Sequence, residues 1–328
     1  MTKLDIIIPH YHETLEVMSP MFEILKIQRN VRWEDFRVLI VNDGDDCVLP
    51  EGFGADMPFD VRQITVPHGG VSAARNAGMD ASDADWIMFC DADDAFASTV
   101  AIQTYLKFLT PESVLVASAF LEEVKSPDDG QMMLLLHDGR DYVFVHGKAF
   151  RREWLVQNNV RFNNDLTLHE DSYFVAMVKS ILNKKNTVYI KDILYLWQYN
   201  PSSATRKQDL FVLRSYDHLC KKNAALTDEF LRRGMYVSAK GTVCRTITDA
   251  YCRLNGKVWN RPENVELIRD AEDCVALFLH HYDYIFRSAG EKVIRVGLDD
   301  MLDGMVQRGE FDKETAVPFE QWVEKLRN

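Results

Sequence analysis

Along the first 200 residues, short apolar runs alternate with stretches whose apolar positions recur every three or four residues. Residues 4–8, 37–41 and 86–90 are dominated by Ile, Leu, Val, Phe and Met, and 61–66 sets Val61, Ile64 and Val66 among polar residues. Runs of this length, bounded by turn residues, read as short strands. Pro9 closes the first, and Asn42-Asp43-Gly44-Asp45 closes the second. Helical spacing covers 15–28, then 71–81 after Pro67-His68-Gly69-Gly70, then a stretch ending at Leu109. The alternation predicts a doubly wound α/β sheet, mostly parallel and flanked by helices. Further strands are expected at 114–121 and 132–136, joined by the turn sequence Ser126-Pro127-Asp128-Asp129-Gly130. Helices at 148–157 and 171–182 follow, then short strands at 188–190 and 194–199. Beyond about Lys207 the pattern is helical throughout, at 209–222, 227–233, 239–254, 265–287 and 293–307. A boundary there divides 1–206 from a helical region, 207–328.

Hydrophobic content of 47% and charged content of 27% over 328 residues belong to an ordinary globular chain with a substantial core. The net charge of −12 argues against indiscriminate binding to nucleic acid or anionic membranes. That charge is uneven, because 207–261 holds eleven Lys and Arg against five Asp and Glu. The basic stretch reads as a solvated helical face, or as a site for an anionic acceptor or membrane surface. The six cysteines show neither C-x-x-C pairs nor zinc spacing, and Cys90 sits in an apolar strand. A reduced, cytoplasmic protein without disulfides or structural zinc is expected. The first strand begins within a few residues, leaving no room for a signal peptide. No apolar run approaches the roughly 20 residues of a membrane span, so any membrane association would be peripheral.

Chemistry concentrates where strands stop. Asp91-Ala92-Asp93-Asp94 follows the run 86–90, placing carboxylates at the carboxyl edge of the sheet, where open α/β folds bind ligands. With no basic residue expected beside Asp91 and Asp93, their mutual repulsion calls for a cation. Hard oxygen ligands suit Mg²⁺ or Mn²⁺ bridging to substrate phosphates. Three more segments reach the same edge: Pro9-His10-Tyr11-His12, Asn42-Asp43-Gly44-Asp45, and the helix opening Gly69-Gly70-Val71-Ser72-Ala73-Ala74-Arg75-Asn76. Together they suit a nucleotide. Tyr11 can stack on a base, Asp43 can accept from a base imide N–H, and Arg75 can reach base or phosphates. Asp91 and Asp93 can supply ribose and metal contacts. Glu170-Asp171 at a predicted helix start reads as an N-terminal cap or, given the nucleotide site, as a catalytic pair.

These segments resemble glycosyltransferase family 2. The matching stretches include Leu4-Asp5-Ile6-Ile7-Ile8-Pro9-His10-Tyr11, Val41-Asn42-Asp43-Gly44-Asp45, Gly70-Val71-Ser72-Ala73-Ala74-Arg75-Asn76-Ala77-Gly78 and Phe89-Cys90-Asp91-Ala92-Asp93-Asp94. The likeness continues through His146-Gly147-Lys148, Glu170-Asp171, Tyr195-Leu196-Trp197 and Ser202-Ser203-Ala204-Thr205-Arg206, about two-thirds of the chain. It implies a GT-A fold with a C-terminal helical subdomain. It also implies inverting, Mn²⁺- or Mg²⁺-dependent transfer of a sugar from a nucleotide-sugar, usually a UDP-sugar, to an acceptor hydroxyl. Carried over by position, Pro9, Tyr11 and Asp43 hold the base, Arg75 contacts the nucleotide and Asp91 the ribose. Asp93 ligates the metal with help from Asp94, Asp171 is the general base, and the loop 202–206 with Arg206 closes on the diphosphate.

His12 and Asn42 depart from the family pattern. His137, His146 and His169 are candidates for a further metal ligand, each equally readable as structural. Family acceptors range over surface polysaccharides, teichoic acids, lipid-linked sugars and proteins. The tail would serve acceptor binding or assembly, a homo-oligomer included.

Rival readings are a haloacid-dehalogenase-type phosphatase, a nucleotidyltransferase and a non-catalytic sugar-binding relative. The phosphatase pattern places its Asp-x-Asp near the N-terminus and follows it with Thr or Val, whereas Asp94-Ala95 stands here. No P-loop or dinucleotide-binding sequence is present.

Overall fold

Nine strands form one sheet among the described residues: β1 (Leu4–His10), β2 (Phe36–Asp43), β3 (Asp60–Val66), β4 (Trp86–Phe89), β5 (Ala95–Phe96), β6 (Leu115–Lys125), β7 (Met132–His137), β8 (Lys148–Arg151) and β9 (Thr187–Trp197). Their order is β3-β2-β1-β4-β8-β6-β9-β5, with β7 paired to β6. This computed structural model describes residues 2–44, 46, 48–126, 129–201, 203 and 211–328, with the backbone alone at 211 and 212. The residues fall into two units, Met1–Ser202 and Ser203–Asn328, each with its own apolar core.

The first four strands are parallel, and β1, β2 and β4 are buried almost throughout, which is why their sequences are continuous apolar runs. Past β4 the sheet becomes mixed. β8 runs antiparallel between β4 and β6, while β9 runs parallel to β6 and antiparallel to β5. The helices of this unit are α1 (Leu15–Lys26), α2 (Gly70–Ala81), α3 (Ala101–Phe108), α4 (Arg152–Gln157) and α5 (Glu170–Ile181). Gly78 lets α2 lie close on β1, since a Cβ there would come within 2.4 Å of Ile7 Cγ2.

Several elements differ from the sequence expectation. β1 does not stop at Pro9 but runs to His10. Ile7 accepts from the Cys90 N–H on the β4 side, so Pro9, two residues on, faces that same side, where pairing has ended. Its missing N–H therefore removes no ladder bond. The segment expected as a helix from 148 begins as strand β8 and becomes helical only at Arg152. The two short strands expected at 188–190 and 194–199 are one strand, β9, in which Lys191 and Asp192 bulge out of register with β6. β7 pairs with β6 along one edge, and its five side chains Met132 to Leu136 are exposed.

In the second unit, α6 (Phe211–Arg214), α7 (Tyr216–Arg232), α8 (Tyr236–Leu254), α9 (Val265–Ser288), α10 (Glu291–Gln307) and α11 (Phe319–Arg327) follow one another. α7 merges what reads in sequence as two helices, and α11, which was not expected, buries Phe319, Trp322, Val323 and Leu326. Several cations of the basic stretch are matched by acids on their own helix. Lys221 pairs with Asp217, Arg253 with Asp249, and Arg232 and Arg233 both with Glu229. Five described cysteines are free, and among the described residues no helix is long and apolar enough to cross a membrane.

One buried ion pair joins β1 to β2. Arg37 donates from Nε to Asp5 Oδ1 at 2.9 Å and from Nη2 to Asp5 Oδ2 at 2.5 Å. Ser82, at the end of α2, donates to the same carboxylate at 2.7 Å. Asp5 is fully buried and Arg37 nearly so. Removing one member of such a pair strands the other charge, at a cost of about 3–5 kcal/mol. Arg37→Met should lower unfolding stability by that amount in denaturant titration, while Arg37→Met with Asp5→Leu should recover most of it.

Candidate active site

The carboxyl ends of β1, β2 and β4 and the start of α2 form one sheet edge. At the end of β2, Asp43 turns its carboxylate onto the opening of α2 and accepts from Gly69 N–H at 2.8 Å and Gly70 N–H at 2.9 Å. Gly70 has φ +82°, a backbone conformation that a side chain would strain. The acid thus meets the positive end of the helix. His68 donates from Nδ1 to the Asp43 backbone carbonyl at 3.0 Å, and its ring stacks on Tyr11 with centroids 4.4 Å apart. Tyr11 remains 45% exposed, with ring surface left for a planar ligand. Asn42, one of the departures from the family pattern, is buried and bonded to His10 at 2.9 Å.

Arg75, on the second turn of α2, is the hub of the edge. Nη1 donates to Asp171 Oδ1 at 2.6 Å and to Glu170 Oε1 at 2.9 Å, and Nη2 donates to Asp91 Oδ1 at 2.7 Å. The expectation that Asp91 has no basic neighbour is therefore corrected, since the cation arrives from a helix sixteen residues earlier in the chain. Burial alone would favour loss of the guanidinium proton, but Asp171, Asp91 and Glu170 hold the charge firmly. Burial alone would likewise raise the Asp91 carboxyl, yet Arg75 and His146 keep it well below the ordinary carboxylate range. Glu170 goes the other way, pushed up to about 7 by burial and by the charge of Asp171.

Beside this hub, Asp91, Asp94 and His146 bring one ligand atom each within 4.8 Å of one another. Asp94 is fully buried, accepting from the Tyr195 hydroxyl at 2.5 Å and from Gln198 N–H at 3.0 Å. Burial and the charges of Asp91 and Asp93 push its carboxyl well above the usual range. His146 is held face to face with Tyr195, centroids 5.2 Å apart, and directs Nε2 at Asp91 and Asp94 at 3.4 and 3.8 Å. Two carboxylates and an imidazole this close are a donor set that could hold a divalent cation. Asp93 is turned toward Asn200, whose Nδ2 donates to it at 2.8 Å, and burial together with the Asp91 charge raises its carboxyl.

Of the residues singled out in sequence, Pro9, Tyr11, Asp43, Arg75, Asp91, Asp93 and Asp171 all reach this edge or the Arg75 hub, whereas Arg206 lies outside the described residues. Of the three candidate histidines, His137 bonds to Glu122 at 2.9 Å and to Asp141 at 3.2 Å, away from the cluster. Sequence reading passed over His68 and treated Glu170 only as a companion of Asp171. It also missed the work of Asn76, whose side chain bonds Phe162 at both its carbonyl and its N–H and so fixes the segment leading to α5. Asn76 stands next to Arg75, and that adjacency was the available signal. Lys148, fully buried, donates to the His146 carbonyl at 3.3 Å and is pushed down to about 8 by burial.

A parallel half-sheet with acids at its carboxyl edge, continued by an antiparallel and mixed half, is the GT-A arrangement. Residues 5–184 match the model of glycosyl transferase family 2, and the chain belongs to that family. Among curated proteins it is 24% identical over 194 residues to the uncharacterized glycosyltransferase EpsJ of Bacillus subtilis, covering 52% of this chain and 55% of that one. It is 27% identical over 198 residues to the teichoic acid poly(glycerol phosphate) polymerase of Staphylococcus epidermidis, covering 56% of this chain and 27% of that one. The uncharacterized glycosyltransferase YibD of Escherichia coli is 24% identical, with 62% and 63% covered. The chain thus matches less than two-thirds of the length of each of these relatives. Crystal structures of S. aureus TarS 1-349, alone and in complex with UDP-GlcNAc, superpose with TM-scores of 0.58 and 0.57 at 15% identity, covering 95% of this chain and 93% of that one. That likeness establishes the fold.

The shared Nη1 of Arg75 makes the state of Glu170 matter to Asp171. Below about pH 7 Glu170 holds a proton and leaves the shared Arg75 donor more fully to Asp171. Above that pH the two carboxylates divide the cation between them. Turnover should therefore inflect near pH 7, where Glu170 changes charge beside Arg75, and Glu170→Gln should remove that inflection from the kcat–pH profile. An unchanged profile would dissociate Glu170 from the reaction.

Proposed function

We propose that this chain is a metal-dependent, inverting glycosyltransferase that moves a sugar from a UDP-sugar to a hydroxyl of a glycan or surface-polymer acceptor. The observation that carries the reading is Asp171, held by Arg75 against Asp91 at the sheet edge where Asp43 and Tyr11 offer a base site. The TarS crystal with UDP-GlcNAc on the same fold supports the donor class. Pro9, Tyr11 and Asp43 would hold the base, Arg75 would stand beside the nucleotide, Asp91 would contact the ribose, and Arg206 the diphosphate. Asp91, Asp93, Asp94 and His146 would hold Mn²⁺ or Mg²⁺, which when bound offsets the charge of a departing diphosphate.

Asp171 takes the acceptor hydroxyl proton as that oxygen bonds the anomeric carbon and the bond to the diphosphate oxygen breaks on the opposite face. Its Oδ1 is fixed by Arg75, while Oδ2 accepts from Val145 N–H at a long 3.3 Å, leaving a lone pair for the proton. Residues 1–206 would form the catalytic domain and 207–328 the acceptor-binding or assembly domain. The basic stretch and the named activity of the Staphylococcus epidermidis relative favour a polyanionic acceptor, whereas the pairing of Arg232 and Arg233 with Glu229 reduces the charge on offer.

Screening nucleotide-sugars for hydrolysis, with water in place of the acceptor, should select a UDP-sugar, require Mn²⁺ or Mg²⁺ and stop in excess chelator. Asp171→Asn should slow that hydrolysis by about 10²–10⁴-fold while UDP affinity by calorimetry stays within a few-fold. The sugar released from an α-linked donor should appear first as the β anomer by NMR. Retention of configuration, or full turnover by Asp171→Asn, would overturn the assignment.

A further inference from the structure

The geometry points to Arg75 as a positioning residue for Asp171, one that ties the base to the donor side of the site instead of serving chiefly as a nucleotide ligand. This rests on the reading of Asp171 as the base. Arg75 is almost fully buried, and three carboxylates from two separate elements occupy its fork: Glu170 and Asp171 on Nη1, Asp91 on Nη2. Its guanidinium carbon lies 5.2 Å from the centre of the Phe162 ring, and Phe162 is itself pinned by Asn76 at both backbone groups. Nε is buried without a partner, so it offers no exposed donor to a phosphate.

A guanidinium has five N–H donors in a fixed plane. Two of them are spent on the pair that opens α5 and one on the acid that ends the β4 segment, leaving little reach for a ligand. What the plane fixes is a distance: Asp171 cannot move relative to Asp91 without breaking a charge-assisted bond. The acceptor-facing base and the donor-facing acid are therefore cross-braced through one side chain. The brace explains why Arg75 and Asn76 stand side by side, since one fixes the carboxylates and the other fixes the segment that delivers them. A lysine keeps the charge but not the fork.

The test uses the full chain, UDP as the binding probe and hydrolysis of the best UDP-sugar from the screen. Arg75→Lys should lower kcat about 10–100-fold, the scale of a misplaced reacting group, with donor KM and UDP affinity within about threefold. In the Asp171→Asn background the same change should cost less than about threefold, because Arg75 then has no base to position. A large rise in donor KM at unchanged kcat, or full additivity with Asp171→Asn, would overturn the inference and make Arg75 a nucleotide ligand. If Arg75→Lys does not fold, Arg75→Gln with Glu170→Gln removes a carboxylate along with the cation and carries the same comparison. Normal turnover by Asp171→Asn would instead sink the base assignment, leaving the two failures distinct.

Discussion

A single buried guanidinium facing three carboxylates is the constraint on which the active edge depends. A charge removed from water without partners is costly, so Arg75 is stable at this depth only while Asp91, Glu170 and Asp171 surround it. The requirement runs in both directions. Those acids come from the end of the β4 segment and the first turn of α5, and each would repel the others without the cation. The sheet edge and the acid cluster thus depend on one another for stability, with α2 as the element that delivers the charge.

The acids of this edge are settled by different means, which separates their chemistry. Asp43 is neutralised by backbone N–H groups at a helix start, Asp94 by a phenol and a backbone amide, and Asp91 by a full cation. Environments that differ this much drive carboxyls apart: Asp91 falls well below its ordinary range while Asp94 and Glu170 rise above theirs. Similar side chains a few ångströms apart can then hold a cation, hold a proton or take one. His146, wedged against Tyr195 and directed at two of these acids, keeps the low and the high carboxyl in one cluster.

What was legible in the sequence was local. Strands β1, β2 and β4 announce themselves because both faces are buried, β3 is partly exposed and shows only in its spaced Val and Ile, and the turn and acid motifs sit where these strands stop. The sheet's other half was harder to read. Lys191-Asp192 looks like a break in a strand but is a bulge, and the four residues of β8 precede a genuine helix with no turn residue between them. Within the site, the motifs place Tyr11, Asp43, Arg75 and Asp91 at one edge, but they do not tell who bonds to whom. Arg75 and Asp171 are 96 positions apart, and nothing in spacing or composition links them. His146 was indistinguishable from His137 in sequence, because a histidine becomes a candidate ligand only through what its ring nitrogens face.

The proline inside β1 has a consequence for what this edge can receive. β1 outruns its pairing with β4, which ends at Ile7, and Pro9 stands two positions further along that flank. A strand flank that keeps its N–H groups normally invites another peptide to zip onto it. At position 9 there is no N–H to offer, so an added ladder would lack a rung there. Pro9 thereby lets the β4 chain leave β1 and turn into the acid motif without the end of β1 becoming a template for another strand.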